Sequence, residues 1–295
     1  MEKVESIIAR LVREVDYPEA AELFGKLSGG KRLRARLILA IAPESPEAPL
    51  LGAIVELIHA ASLLHDDVID EAMVRRGVAS VNATHGSKVA IMLGDILYSK
   101  AFSELTSFDS AIARAVSESV TRLSVGEMMD VAMAETFNTD RERYLKMLYL
   151  KTATLIEAAA FSAAALAGYD APSYGIYGKN LGLAFQIVDD ILDITQDEQT
   201  LGKPSLNDFV EGKTTLPYID LYDALDENAK ERLVACHGRV LEEEEKVWIR
   251  GEMDAHSIIE RSYAHARSLC DEAIGAIGDN LPLRMIIESV IQRSH

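Results

Sequence analysis

The chain has 295 residues, 48% hydrophobic and 26% charged, which is enough to bury a substantial core and too apolar for a disordered chain. A formal net charge of -17 argues against nonspecific binding to nucleic acid, whose phosphates it would repel, but not against a basic pocket for a small anion. Two cysteines, Cys236 and Cys270, offer neither metal-site spacing nor a disulfide framework and read as small buried side chains in a reducing compartment.

From the N-terminus, Met1 to Val15 mixes charged and apolar residues and lacks the apolar centre of a secretory signal. No run reaches the roughly 18 uninterrupted apolar residues of a membrane span, so a cytoplasmic protein is expected. A basic cluster, Gly29-Gly30-Lys31-Arg32-Leu33-Arg34, precedes a short linker from Pro43 to Pro49. No proline then occurs until Pro172, and Ile54, Leu57, Ile58, Ala61, Leu64 and Ile69 fit an apolar helical stripe. Ser124 to Ala134 and Tyr144 to Ala167 also read as helices, the second closed by Gly168 to Ser173. No Val, Ile or Thr run bounded by turns suggests a sheet. The expectation is a single all-α domain over residues 1–295, with ten or more helices.

Two segments in this background carry the same pattern, Asp66-Asp67-Val68-Ile69-Asp70 and Asp189-Asp190-Ile191-Leu192-Asp193. On a helix Asp66 shares a face with Asp70, and Asp189 with Asp193, while Asp67 and Asp190 are turned about 100° away and contribute less directly. Like charges at i and i+4 destabilise an isolated helix by about 0.2–0.5 kcal/mol per pair. A solvated acidic face explains one such motif; two in matching apolar contexts point to carboxylate sites for a hard cation such as magnesium, completed by phosphate oxygens. Arg75 and Arg76 follow the first motif; Lys203, Asp208 and Gly212-Lys213-Thr214-Thr215 follow the second. Cations beside metal-binding carboxylates suit a polyanion that both can hold, such as a diphosphate. Gly212-Lys213-Thr214 is not a nucleotide-binding loop, because Asn207 stands where its first glycine belongs and no strand precedes it.

These landmarks together resemble the trans-isoprenyl (polyprenyl) diphosphate synthases. The matching stretches are GGKRLR at 29–34, ELIHAASLLHDDVIDEAMVRRG at 56–77, LGDILYSKAF at 93–102, GE at 126–127, KTA at 151–153, LGLAFQIVDDILD at 181–193, GKP at 202–204 and EGKTTLP at 211–217. Ala35 departs from the family, which usually has proline after GKRxR. The resemblance implies an isoprenoid synthase fold, a helical bundle around a central catalytic cavity, and a homodimer. It implies magnesium-dependent head-to-tail condensation of isopentenyl diphosphate with an allylic diphosphate, with more than one ion per active site.

Carried over by motif, Asp66, Asp70 and Asp189 would hold magnesium, with Asp67, Asp190 and Asp193 assisting directly or through water. Arg75, Lys151 and Lys203 would bind the allylic diphosphate; Lys31, Arg34, His59 and Arg76 would bind isopentenyl diphosphate; Thr152 and Gln186 would face the reacting carbons. His65 has no counterpart in that set and reads as structural. In the family, the residues four and five before the first aspartate help form the floor of the elongation tunnel. Here these are Ser62 and Ala61, both small, with Ile58 one turn beyond, so a product longer than geranylgeranyl is expected, a quinone side-chain precursor such as an octaprenyl chain. Met129, Met133 and Phe137 are candidates for the deeper stop, against ordinary core packing. The alternatives are a farnesyl or geranylgeranyl diphosphate synthase, a class I terpene cyclase, and a non-catalytic subunit of a heteromeric synthase. No membrane span is expected, only peripheral membrane contact for product release.

Overall fold

Proline starts helices in this chain rather than breaking them. The computed structural model describes residues 1–27, 30–75, 77–196, 206–278 and 280–292. Pro18, Pro49, Pro217 and Pro282 each stand in the first turn of a helix, where a missing N–H has no intrahelical partner to lose. In order the helices are α1 (Glu2–Arg13), α2 (Pro18–Lys26), α3 (Leu33–Ile41), α4 (Ala48–Ile69), α5 (Val81–His85), α6 (Ser87–Leu105), α7 (Ser110–Ala134), α8 (Arg141–Leu148), α9 (Thr154–Ala167), α10 (Ala171–Thr195), α11 (Asn207–Val210), α12 (Leu216–Ala224), α13 (Glu227–Cys236), α14 (Glu243–Ala255), α15 (Ile258–Ile277) and α16 (Leu281–Ile291). A π-helical turn, Tyr149–Ala153, lies between α8 and α9. The all-α expectation holds with one small addition. Strands β1 (Val74–Arg75) and β2 (Val78–Ala79) pair antiparallel, Val74 with Ala79 and Arg75 with Val78. Two residues are too few to display an alternation that a sequence reading could find.

The chain divides into two compact units, each built from two segments: Met1–Thr121 with Leu155–Gly178, and Arg122–Thr154 with Lys179–His295. In the first, α4 is the core element, packed on α6, α3 and α1. Every residue from Leu51 to Ile58 is buried, so this stretch is a helix enclosed on all sides rather than an amphipathic one. By length and composition α4 could cross a membrane, as could Arg141–Ala167, but 67% and 56% of their apolar windows are buried within the protein, as in core helices.

Glu56 is the exception in that apolar stretch, 3% exposed. Its Oε1 accepts the backbone N–H of Ala35 at 3.0 Å, and its Oε2 lies 3.6 Å from the guanidinium of Arg32, which also pairs with Glu5 at 2.9 Å. The basic stretch before α3 is therefore tied down from beneath, with Arg32 turned inward at a left-handed φ of 48°. A physical reason for the departure at Ala35 follows: proline there would carry no N–H to give Glu56.

The second unit centres on aromatic and aliphatic residues of its C-terminal helices. Phe209 stacks on Tyr218 with ring centroids 4.1 Å apart, and Leu221, Leu233, Ile249, Met253 and Ile258 close around them. Asp140, Asp226 and Asn280 cap α8, α13 and α16 by accepting backbone N–H groups, which satisfies donors that a helix start leaves open. Cys236 and Cys270 are buried free thiols, as expected. Burial, aided by the neighbouring charge of Asp271, pushes the Cys270 thiol up to about 12, so it stays protonated and unreactive.

Candidate active site

The first aspartate motif sits where α4 ends. Asp66 is partly exposed, Asp67 is buried, and Asp70 is the exposed C-cap of the helix. The chain then folds back through Glu71, whose φ is 50°, so that Ala72 N–H and the Asn82 side-chain amide both donate to the Asp67 carbonyl, at 2.9 and 3.2 Å. This return carries Arg75 to Asp67, where its Nε donates to Oδ1 at 2.6 Å. Burial pushes the Asp67 carboxyl above the usual carboxylate range, and the Arg75 charge pulls against it.

Elsewhere in the first unit, Lys31 is exposed, and Arg34 and His59 are partly exposed. Ile58, Ala61 and Ser62 are buried, and the Ser62 hydroxyl donates to the His59 carbonyl at 2.9 Å. His65 packs against α6: Nε2 lies 3.2 Å from the Ile91 carbonyl, and a Cβ placed on Gly94 would stand 2.3 Å from the same nitrogen. Arg76 and Lys203 lie outside the described residues.

In the second unit the chemistry gathers around the π turn. Such turns insert one residue into a helix and recur at functional sites; this one contains Lys151 and Thr152. Gly126 of α7 makes the approach possible, since a Cβ there would stand 2.3 Å from the Lys151 backbone nitrogen. The Lys151 ammonium sits between Asp130 at 2.6 Å and Glu127 at 2.8 Å. Burial alone would lower its pKa, but the two carboxylates outweigh that and hold it well above the ordinary lysine value.

The second aspartate motif lies within α10. Asp189 is exposed, whereas Asp190 and Asp193 are 3% and 2% exposed. Asp190 accepts the Tyr144 hydroxyl on Oδ2 and the Gln186 amide on Oδ1 at 3.1 Å; the Oε1 of Gln186 in turn accepts the Thr152 hydroxyl at 3.2 Å. Burial raises the Asp190 carboxyl well above its usual range, Asp208 and Asp189 add repulsion, and the hydrogen bonds from Tyr144 and Gln186 oppose the rise. Asp193 accepts the Asp208 N–H at 3.2 Å, and its carbonyl takes the Leu206 N–H at 2.9 Å. Asp189 and Asp193 thus share a helix face in rotation but not in exposure, because the chain around 206–208 covers the second.

A cavity of about 160 Å³ opens here, lined by Asp130, Lys151, Thr152, Gln186, Asp189, Asp190, Asp208 and Lys213 together with the apolar Met133, Ala134, Met147 and Leu148. Gly212, at φ 86° and with the Ala134 carbonyl 2.6 Å from any Cβ it could carry, lets the Lys213–Thr215 stretch run along this wall. Of the tunnel candidates only Met133 lines the cavity. Phe137 is a core residue instead, packed against Phe209, Tyr222 and His237, the outcome that a helical spacing of apolar residues more often signals.

Sequence reasoning gave no role to Asp130 or Tyr144, and named Asp208 and Lys213 only within the charged stretch that follows the second motif. A signal existed for Asp130, one turn after Glu127 on the same helix, and for Tyr144, two turns ahead of Lys151. Among the described residues no group of three or more acidic, histidine or cysteine side chains is gathered closely enough to hold a metal ion by itself. The donor set fits magnesium nonetheless: it is all oxygen, and that ion keeps water and phosphate oxygens among its ligands instead of using a complete protein cage.

An almost wholly helical chain with two aspartate pentads and a cavity that sets a lysine and carboxylates beside methionines and leucine defines a class of enzymes acting on phosphorylated apolar substrates. The chain belongs to the polyprenyl synthetase family, whose model matches residues 19–250, and it is a prenyltransferase of the trans-prenyl diphosphate synthase type with the all-α isoprenoid synthase fold. It is 35% identical over 293 residues to the short chain isoprenyl diphosphate synthase of Methanothermobacter thermautotrophicus, covering 91% of this chain and 88% of that protein. The crystal structure of octaprenyl pyrophosphate synthase from Helicobacter pylori superimposes with a TM-score of 0.94 at 42% identity, covering 99% of each chain. That of a decaprenyl diphosphate synthase from Rhodobacter capsulatus does so with 0.92 at 29% identity, covering 100% of this chain and 96% of the other.

Proposed function

We propose that the whole chain, as one catalytic domain, condenses isopentenyl diphosphate head-to-tail with an allylic diphosphate to give an all-trans polyprenyl diphosphate longer than geranylgeranyl, a quinone side-chain precursor. The observation that carries the reaction is the cavity lining, in which Lys151, Lys213 and Asp189 suit a metal-bound diphosphate while Met133, Met147 and Leu148 suit a prenyl chain and keep water away.

In this reading Asp66, Asp70 and Asp189 would hold magnesium, which, when bound, would offset charge on the leaving diphosphate. Asp67, Asp190 and Asp193, each buried and hydrogen-bonded, keep supporting parts. Arg75, Lys151 and Lys203 neutralise the departing diphosphate, and Lys31, Arg34, His59 and Arg76 anchor isopentenyl diphosphate. Thr152 and Gln186 face the carbons where positive charge develops and offer it oxygen lone pairs. The alkene attacks the allylic cation, and the proton then lost goes to the released pyrophosphate.

Long product rests on the small buried pair Ala61 and Ser62 and on the octaprenyl and decaprenyl synthases among the similar structures. The similarity to a short chain synthase makes a shorter product the second reading. Incubation with farnesyl diphosphate, labelled isopentenyl diphosphate and magnesium, with the products sized by chromatography, decides between them. Ala61→Phe should shorten the product, and an unchanged distribution refutes the assignment of Ala61 to the tunnel floor. Geranylgeranyl diphosphate alone should yield no hydrocarbon, and the purified chain alone should be active, against the cyclase and regulatory-subunit readings. Cytoplasmic location and a homodimer complete the proposal. Val125, Met128 and Val131 support the dimer, since they leave an apolar stripe on α7 45%, 74% and 48% exposed; sedimentation would measure it.

A further inference from the structure

Tyr144 is 3% exposed, lines the cavity, and belongs to no motif that the family resemblance rests on. Its hydroxyl begins a chain of hydrogen bonds with one consistent direction. Tyr144 donates to Asp190, the Gln186 amide donates to the other Asp190 oxygen, and Thr152 donates to the Gln186 carbonyl oxygen. A glutamine side chain is nearly symmetric in shape but opposite in polarity at its two ends, so packing alone cannot choose its orientation. The Asp190 oxygen that faces Gln186 accepts its amide N–H, which turns the Gln186 oxygen toward Thr152. Thr152, having given its proton to that oxygen, is left with lone pairs for whatever occupies the cavity.

We infer that Tyr144 is a positioning residue which, by holding Asp190 at its second oxygen, fixes the polarity of the Gln186–Thr152 pair so that oxygens, not N–H groups, meet the developing positive charge. This rests on the proposed role of Gln186 and Thr152. With both oxygens engaged inside a buried site, the carboxylate cannot turn, and Gln186 has one favourable orientation. With only one engaged, the carboxylate pivots and the amide can turn over, placing donors where a cation forms. Such an error disturbs the transition state and leaves diphosphate binding intact, because no diphosphate-binding cation takes part in the chain.

The test is Tyr144→Phe, which keeps the ring and removes only the hydroxyl, compared with Gln186→Ala and the double variant in steady-state condensation assays with magnesium. The expected result is a kcat about tenfold lower for Tyr144→Phe, less than the loss from removing a directly placed group, with KM for both diphosphates within about twofold. In the Gln186→Ala background the same change should alter kcat by less than about twofold. An unchanged kcat for Tyr144→Phe, or an equal loss in both backgrounds, overturns the inference while leaving the proposed reaction standing. If Gln186→Ala alone keeps parental kcat, the role of Gln186 fails, and the inference falls with it. Should thermal melting show that Tyr144→Phe does not fold, Tyr144→Met replaces it, filling the buried site without a hydroxyl. The same loss in kcat alone, absent in the Gln186→Ala background, is expected; additive losses there also overturn the inference.

Discussion

The two aspartate pentads share a pattern and differ in almost everything around it. The first lies at a helix end, with Asp70 as an exposed C-cap, Asp66 partly exposed and only Asp67 drawn inward, by a single arginine. The second lies within α10, with two of its three aspartates buried and bonded to Tyr144, Gln186 and the Asp208 backbone, and only Asp189 exposed at the cavity. A motif states which carboxylates are present; the surrounding chain determines which of them are buried. The motif at the helix end is the more exposed and the mid-helix motif the more buried, so equal substitutions should have unequal consequences.

The largest effects should separate activity from stability. Asp66→Ala and Asp189→Ala should each lower magnesium-dependent kcat/KM by at least about 10²-fold and leave the thermal midpoint near the parent. Asp190→Ala should lower both, because it orphans the Tyr144 hydroxyl and the Gln186 amide at about 1–3 kcal/mol; a stability-neutral Asp190→Ala would break the comparison. Next, Gly126→Ala should destabilise by about 1–3 kcal/mol in urea unfolding, since its methyl group and the Lys151 backbone nitrogen claim the same space. The ionic clasp on Lys151 should show in pH dependence. Its folded pKa is raised, so the stabilisation is fully present below the unfolded lysine value of about 10.4 and is lost as pH climbs through the folded value. Asp130→Asn should therefore be less stable than the parent at about pH 8, and the gap should close in strongly alkaline solution. Smallest of all, Arg75→Gln at the first motif should cost about 1 kcal/mol in the same unfolding assay, the arginine being partly open to water.

Much of this was legible beforehand. The proline-free span after Pro49, the apolar helical stripe within it and the paired pentads all lie in local sequence, and local patterns follow from helix geometry. Rotation about the helix axis sets Asp67 and Asp190 apart from the first aspartate of each motif, but their burial, and that of Asp193, depends on packing that the spacing does not give. What could not be read depends on residues distant in sequence. The pairing of Tyr144 with Asp190 spans 46 positions, and a π turn leaves no periodic mark in five residues. For Phe137 the sequence left tunnel lining and core packing both open, because the partners that decide it, Phe209, Tyr222 and His237, are distant in sequence.

Ala35 carries a lesson for anyone who would engineer this enzyme by averaging its relatives. The family habit of proline at that point reads as a free stabilisation, since proline restricts the unfolded chain. Here the backbone N–H of Ala35 is the donor to the buried Glu56 carboxylate, on the same anchor that ties down Arg32. A consensus design that places proline at 35 in this chain therefore removes the backbone donor of a buried carboxylate and leaves an unmet acceptor beneath the basic cluster.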